Sequence, residues 1–318
     1  MSGMPPEVLE ILERADLCHV ATTTPSGPHV TPMVFAITAD RLWVTTARGS
    51  VKARAWSRDP RVAGVVRLGR EAVAFVGPVT AYDALDPGSW GRSVRDMPML
   101  ALASARFTRK NARFFAGYAV DAHHVPLAWS PPGRVFAAIR PERTALVRDD
   151  RVARTSGAWG GGVPSHERFR ATRTGARPLV GLPDDVLEDL GRRGEGVLAI
   201  EGTDGVVALP SAWTVSGAAL YAVVEASTLA LAGPKTPSVR AALEADRPSW
   251  WRARNMLGVM ARGRADVFVP PALVSGGGSA LAIAREAGVR GDGPAVVRVR
   301  PERLVWWRGW SSGTVAAR

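Results

Sequence analysis

Residues 29–54 read HVTPMVFAITADRLWVTTARGSVKAR and carry the strongest indication of the fold. It contains two runs rich in β-branched and aromatic residues, separated by a turn at residues 38–40, which is the pattern of a β-hairpin. The second run leads to Ser50, a residue type that favours the cap of a helix and predicts a short helix after it. On both sides of residues 29–54, further short runs typical of strands occur at similar spacing, and they predict a small antiparallel barrel.

The same pattern occurs twice along the chain. At a constant offset of 178 residues, four positions of the first copy meet the same residue type in the second: Val8 and Val186, Gly27 and Gly205, Pro32 and Pro210, and Leu42 and Leu220. The tetrapeptide Arg-Pro-Glu-Arg then occurs near the end of each copy, at residues 140–143 and 300–303. Self-similarity at a fixed offset marks a duplicated domain. Two such copies can pack on each other as a dimer does, with a ligand cleft between them.

The duplication predicts a mainly β chain with short helices, built as two tandem barrels that pack as an intrachain pseudo-dimer. We place the first domain at residues 1–148 and the second at residues 181–318. Residues 149–180 combine glycines with mixed charges and show no sustained periodicity, which predicts a linker. Each domain is long enough to bury its own core. We expect a monomeric pseudo-dimer, and further dimerisation is left open.

The chain is strongly basic, yet its charge distribution argues against a nucleic-acid partner. The net charge is +12, but only three of the 41 basic residues are lysines, and the arginines are mixed with acids rather than clustered. A small-molecule partner is therefore favoured over nucleic acid. No apolar run is long enough to span a bilayer, and the single cysteine, Cys18, fits a reducing compartment. We expect a cytoplasmic protein without a membrane partner.

Polar and basic side chains gather at the start of the short helix. Ser50 stands at the cap, and Arg48 and Lys52 lie beside the free N–H groups of the first turn, an arrangement that favours a bound phosphate. The alternative is a capped surface helix whose cations are merely solvated. In the second copy, Ser238 and Arg240 repeat the spacing of Ser50 and Lys52. That repetition predicts a second capped helix and favours the phosphate interpretation.

These segments carry a family resemblance. Residues 29–34, 42–54 and 59–62 resemble the pyridoxamine 5'-phosphate oxidase-like, flavin-binding split-barrel superfamily. The resemblance covers about residues 7–82, and the repeat extends it to about residues 182–270. Members are usually homodimers of split β-barrels with FMN, or the deazaflavin coenzyme, at the subunit interface. The tandem looks like that dimer fused into one chain.

The resemblance implies a set of cofactor-binding residues. Those expected at the phosphate are Arg48, Ser50 and Lys52, with Thr45, Thr46 and Val51 beside them; those expected along the ring or ribityl edge are Thr31, Pro32, Met33 and Val34; and those that match in the second copy are Ser238 and Arg240. The implied function is that of a flavin-dependent oxidoreductase with a small-molecule substrate. The cofactor would carry the electron chemistry, and no catalytic side chain is identified.

Several alternatives stay open. A deazaflavin-dependent reductase would use the basic groups around Arg48, Lys52 and Arg54 for the longer anionic tail of its coenzyme. A split barrel can also bind flavin or haem without turnover. The paired C-terminal Arg and His of pyridoxamine 5'-phosphate oxidase itself are not found in clear form, so pyridoxal phosphate synthesis is not expected. No metal site is expected, since the adjacent His123 and His124 lack carboxylates at ligand spacing.

Overall fold

The fold is described by a computed structural model at residues 4–120, 133–169, 178–249, 253–269, 279–289 and 293–317. His123 and His124 lie outside these residues. The helices are α1 (Pro6–Arg14), α2 (Val51–Trp56), α3 (Pro87–Arg95), α4 (Met97–Lys110), α5 (Ala112–Val120), α6 (Asp184–Leu190), α7 (Ala226–Ala230) and α8 (Ser279–Glu286). In the part of the chain that is described, no helix has the length and apolar character needed to cross a membrane.

The first copy forms a closed six-stranded barrel. Its strands are β1 (Leu17–Thr24), β2 (Gly27–Thr38), β3 (Arg41–Ala47), β4 (Arg61–Leu68), β5 (Glu71–Tyr82) and β6 (Arg134–Ile139). They pair in the order β4-β1-β2-β3-β6-β5, and β4 closes the barrel on β5. Alternate side chains point inward, where Phe35, Leu42 and Phe75 are fully buried in the core. Two more strands, β7 (Arg143–Arg148) and β8 (Arg151–Ser156), extend the sheet beyond β5.

The second copy repeats this topology. Its strands are β9 (Arg193–Gly202), β10 (Gly205–Ser216), β11 (Ala219–Glu225), β12 (Ser238–Arg247), β13 (Leu257–Phe268), β14 (Pro294–Arg308) and β15 (Ser311–Ala316). They pair in the order β11-β10-β9-β12-β13-β14, with β11 closing on β14 and β15 outside. Because strand order and closure match those of the first copy, the predicted fold of two tandem barrels is confirmed.

The first copy ends in two strands rather than one. The chain bends at residues 140–142, between β6 and β7. The single long strand β14 takes the place of both in the second copy. Strand β8 lies inside the predicted linker and pairs with β7 as β15 pairs with β14. The structural repeat therefore includes residues 151–156.

The Arg-Pro-Glu-Arg tetrapeptide marks the same bend in both barrels. A Cβ atom placed on Gly77 would lie 2.0 Å from the backbone oxygen of Arg140, and one placed on Gly263 would lie 2.2 Å from that of Arg300. Both distances are too short for any side chain, so the backbone can make this close approach only over glycine. In the second barrel the bend coincides with a register shift between Arg262 and Gly263. The repeated tetrapeptide thus reflects a repeated backbone geometry.

The two barrels face each other through corresponding strands. Strand β2 packs on β12 and β13 of the second barrel, and β10 packs on β4 and β5 of the first. Ala21, Val30 and Val65 of the first barrel join Leu198 and Met260 of the second in one apolar cluster. This reciprocal arrangement is that of a two-fold symmetric dimer within one chain. We call the contact surface between the barrels the seam.

Candidate functional site

The short helix α2 begins as the sequence predicts. Ser50 adopts an extended backbone at the N-cap, and its hydroxyl accepts a hydrogen bond of 3.1 Å from the backbone N–H of Ala53. The same hydroxyl lies 3.0 Å from the hydroxyl of the buried Thr46 at the end of β3. These bonds fix the helix start against the barrel and thereby set the position of Lys52 in the first turn.

Lys52 reaches from α2 to strand β2. Its ammonium donates a hydrogen bond of 2.5 Å to the hydroxyl of Thr31. It forms no ion pair with any residue that the structure describes. Burial, followed by the charge of Arg134, lowers the pKa of Lys52 to about 8. An ammonium in such surroundings is stabilised by an anion that approaches it.

Arg134 stands at the same end of the barrel. Its Nε donates a hydrogen bond of 3.0 Å to the hydroxyl of Thr45, and one of its terminal nitrogens donates a bond of 3.2 Å to the backbone oxygen of Thr45. The pairing of β3 with β6 creates this contact. Arg134 of β6 lies opposite Ala47 of β3, and Thr45 is two residues from Ala47 on the same strand. Lys52, Thr31, Arg134 and Thr45 form what we call the cation pocket. It combines two positive charges with two hydroxyl groups.

Arg48 is directed elsewhere. Its guanidinium forms an ion pair with Asp83, whose carboxylate also accepts a hydrogen bond of 2.9 Å from the backbone N–H of Leu85. The charge of Arg48 is therefore compensated by the carboxylate of Asp83. Val51, the first residue of α2, is exposed.

The predicted run along β2 divides between two faces, as alternation along a strand requires. Met33 is buried in the core of the first barrel together with Phe35. Val30 lies on the other face, where its backbone N–H donates to the sulfur of Met260 at 3.3 Å across the seam. Pro32 and Val34 are half-buried. Of the four residues Thr31 to Val34, only Thr31 contacts Lys52 through a hydrogen bond.

A second set of positive charges lies across the seam. Arg262 of β13 donates a hydrogen bond of 2.9 Å to the hydroxyl of Thr24. Burial, followed by the charges of Arg303 and Arg240, lowers the pKa of Arg262. His29 is buried, and burial, followed by the charges of Lys52 and Arg262, lowers its pKa to about 3. His29 is consequently neutral at physiological pH.

The predicted helix at Ser238 and Arg240 is wrong. Both residues belong to strand β12, which pairs with β9 and β13 as β4 pairs with β1 and β5. The true counterpart of α2 is α7, which begins directly after Glu225. Ser238 donates a hydrogen bond of 2.8 Å to Asp266, and Arg240 packs with its Cβ against Gly27 at the seam. Compared with the first copy, the second has fewer residues between β11 and its helix and more between that helix and β12. An alignment without gaps therefore pairs the wrong residues in this region.

The second barrel lacks a counterpart of the cation pocket. Matching the strand registers of the two barrels replaces Thr31 by Leu209, Thr45 by Val223 and Arg134 by Pro294. Helix α7 has the sequence Ala-Ser-Thr-Leu-Ala, which carries no cation in place of Lys52. The pocket is therefore present in the first barrel alone within the part of the chain that the structure describes.

Sequence reasoning missed Arg134, His29 and Arg262 as site residues. Arg134 meets Thr45 through a strand pairing between residues 89 positions apart, and nothing in the local pattern fixes that register. His29 and Arg262 come together only when the barrels pack. The sequence did place His29 in β2, two residues before Thr31. A histidine in a strand that packs on a second domain is a candidate site residue.

Comparison with known proteins gives one family model and several solved structures that match part of the chain. A family model described as pyridoxamine 5'-phosphate oxidase matches residues 4–147. No curated protein matches the chain. A pyridoxamine 5'-phosphate oxidase-related, FMN-binding protein from Nostoc punctiforme is 18% identical, over 46% of this chain and 85% of that one, with a TM-score of 0.34.

Two further solved structures are similar at the same level. A FAD-binding protein from Mesorhizobium loti is 18% identical, over 46% of this chain and 94% of that one, with a TM-score of 0.31. An F420 reductase is 22% identical, over 45% of this chain and 98% of that one, with a TM-score of 0.31.

Proposed function

We propose that this chain, whose first half is a pyridoxamine 5'-phosphate oxidase-like split barrel, binds FMN at the seam and acts as a flavin-dependent oxidoreductase on a small-molecule substrate. The cofactor would lie between the barrels with its phosphate in the cation pocket. Because the second barrel lacks that pocket, one cofactor binds per chain. The protein is then a monomeric pseudo-dimer that completes its site within one polypeptide.

The observation that carries this proposal is the state of Lys52. Its half-buried ammonium contacts a hydroxyl and pairs with no described acid, and the charge that most affects it is the cation Arg134. A second cation near a half-buried ammonium is unfavourable for that ammonium, and an anion bound beside Lys52 offsets this cost. A phosphate dianion supplies both the negative charge and acceptors for several donors at once.

The residues at the pocket have separate tasks. Lys52 would bind the phosphate as a point charge, and Arg134 would hold Thr45 in place and add a second charge. The half-buried Pro32 and Val34 would limit the access of water to the seam. The buried and neutral His29, whose pKa both Lys52 and Arg262 lower, can donate or accept one hydrogen bond without adding charge. When bound, FMN would supply the electron transfer itself.

A deazaflavin coenzyme is the second candidate, favoured by one specific observation. The charges of Arg303 and Arg240 both lower the pKa of Arg262 in the second barrel, after the larger effect of burial. A longer anionic tail could extend from the cation pocket toward them, which the single phosphate of FMN would not do. A carrier that holds flavin without turnover, or a haem-binding barrel, remains the non-catalytic alternative.

The absorbance spectrum of the purified protein tests these proposals. We expect the visible bands of an oxidised flavin, and mass spectrometry of the released ligand should give the mass of FMN at one equivalent per chain. A shorter-wavelength band with strong fluorescence would identify the deazaflavin coenzyme instead. A protein that binds neither cofactor after reconstitution would contradict both. Oxidation of reduced nicotinamide, or of candidate substrates, by the loaded protein separates an enzyme from a carrier.

The affinity for FMN should depend on pH through Lys52. In the free protein its pKa is about 8, below the ordinary value for lysine, and a bound phosphate would raise that pKa. Below pH 8 the ammonium is already charged, so affinity changes little on its account. Above pH 8 binding requires uptake of a proton, and affinity should fall by up to about tenfold per pH unit. Titrations of flavin fluorescence at pH 7 to 9 measure this slope, and Lys52→Met should remove it.

A further inference from the structure

Three ligand-type side chains that do not belong to the cation pocket meet at the seam. His19 extends from β1 of the first barrel, while Glu244 and Asp246 extend from β12 of the second. The Nε2 atom of His19 lies 3.3 Å from Oε2 of Glu244 and 3.4 Å from Oδ1 of Asp246. One donor atom from each of the three residues lies within 4.8 Å of the other two. No single stretch of the sequence contains this set.

Glu244 is the member that requires an explanation. Its side chain is fully buried, and neither of its carboxylate oxygens has a hydrogen-bond partner among the described residues. Burial, followed by the nearby charge of Asp246, raises its pKa well above the ordinary value. A carboxylate without compensation at such a place is strongly unfavourable. Glu244 therefore needs either a proton or a cation.

Arg67 compensates Glu244 only in part, because its charge lowers the pKa of that carboxyl less than burial and Asp246 raise it. Arg67 donates its hydrogen bonds to the backbone oxygens of Gly196 and Ser211, at 2.7 and 2.8 Å. Its contact with a carboxylate is at 3.8 Å and goes to Glu195 rather than to Glu244. Among the described residues, Arg67 therefore forms no ion pair with either acid of the cluster.

The spacing of the donor atoms matches a metal ion. A tetrahedral zinc ion with bonds of about 2.0–2.1 Å holds its ligand atoms about 3.3–3.4 Å apart, and the two separations from His19 Nε2 have these values. A nitrogen and two carboxylates are a donor set that zinc and similar divalent ions accept. A cavity of about 300 Å³ borders His19 and Asp246, and it offers a path for the ion and room for a water as fourth ligand.

We propose that His19, Glu244 and Asp246 bind one divalent transition-metal ion of the zinc class at the seam. The ion would neutralise the two carboxylates and link the barrels through ligands from both. The corresponding positions on the other side of the seam hold Val197, Val65 and Arg67, so those positions do not repeat the site. It uses no residue of the cation pocket.

The test uses the full chain without an affinity tag, stripped with a chelator and titrated with Co²⁺ in the absence of flavin. We expect one equivalent of Co²⁺ to bind with the visible ligand-field bands of a four-coordinate site, and Zn²⁺ to displace it. Glu244→Gln and Asp246→Asn should each weaken Co²⁺ binding by more than about tenfold. Glu195→Gln is the matched control, because that exposed carboxylate borders the same cavity outside the cluster.

Thermal unfolding provides a second measurement. Zn²⁺ should raise the melting temperature of the unaltered chain and of Glu195→Gln, but not that of the two cluster variants, since only ligands that bind the folded state stabilise it. Circular dichroism establishes that the variants are folded, and Asp246→Asn, at a partly exposed position, covers the case in which Glu244→Gln does not fold. An unaltered chain that binds no Co²⁺, or cluster variants that bind it as tightly as Glu195→Gln, would overturn the proposal.

Discussion

Replacing Lys52 with alanine is expected to weaken FMN binding by about 1.5–3 kcal/mol, the scale of a charge-assisted hydrogen bond. This corresponds to a loss of affinity of roughly tenfold to 150-fold. The effect is large because Lys52 lies in a partly dehydrated pocket, where a charge interacts with phosphate more strongly than it does at an open surface. Titration of stripped protein with FMN, followed by flavin fluorescence, measures it directly.

Two control variants make the result specific. Lys235→Ala removes an exposed lysine outside the cation pocket and should leave the affinity unchanged. Thr31→Val removes the hydroxyl that Lys52 contacts and should have a smaller effect than loss of the ammonium, since it removes no charge. If Lys52→Ala bound FMN as tightly as Lys235→Ala, Lys52 would not be a phosphate ligand and the proposed position of the cofactor would be wrong.

Gly77→Ala is expected to destabilise the chain by about 3 kcal/mol, at the upper end of the range for overpacking. The new methyl group would meet the backbone oxygen of Arg140 at 2.0 Å. A backbone atom of the barrel wall cannot rotate away as the end of a side chain can, so the bend between β6 and β7 must open. Chemical denaturation measures the change in the free energy of unfolding when both proteins show the same dependence of that free energy on denaturant concentration.

The second barrel gives an internal replicate, and a helix gives the control. Gly263→Ala should destabilise by a similar amount, because its methyl group would meet the backbone oxygen of Arg300 at 2.2 Å. Gly91 lies in helix α3, and a methyl group on it would meet no described atom within 4 Å apart from its chain neighbours and the backbone of its own helix. Gly91→Ala should therefore be neutral or slightly stabilising. Equal stability of Gly77→Ala and Gly91→Ala would show that the bend does not require glycine.

The sequence was most informative where structure is local. The hairpin of β2 and β3, the turn at Ala39 and Asp40 with its positive φ angles, and the cap of α2 by Ser50 all follow from residue types a few positions apart. The duplication added the tandem arrangement, because identical residues at a constant offset report on the fold as a whole.

The remainder depended on contacts that residue patterns do not record. The triplet Ser238-Val-Arg240 resembles Ser50-Val-Lys52, yet it starts a strand, since pairing with β9 and β13 outweighs the preference of one serine for a helix cap. Arg134 and His19 gained their neighbours only when strands from distant parts of the chain came together. Register and domain packing thus determined much of the site.

The reciprocal seam within one polypeptide has a consequence for how such a protein diversifies. In a homodimer every substitution is made twice, so a histidine gained on one side is also gained on the other, and a pocket lost is lost in both subunits. Joining the halves removes that constraint. One half can then keep the cation pocket while the other has Leu209 and Val223 in place of its two threonines. His19 can likewise face two acids that its own half does not carry. Each half becomes free to specialise as long as the shared surface still fits.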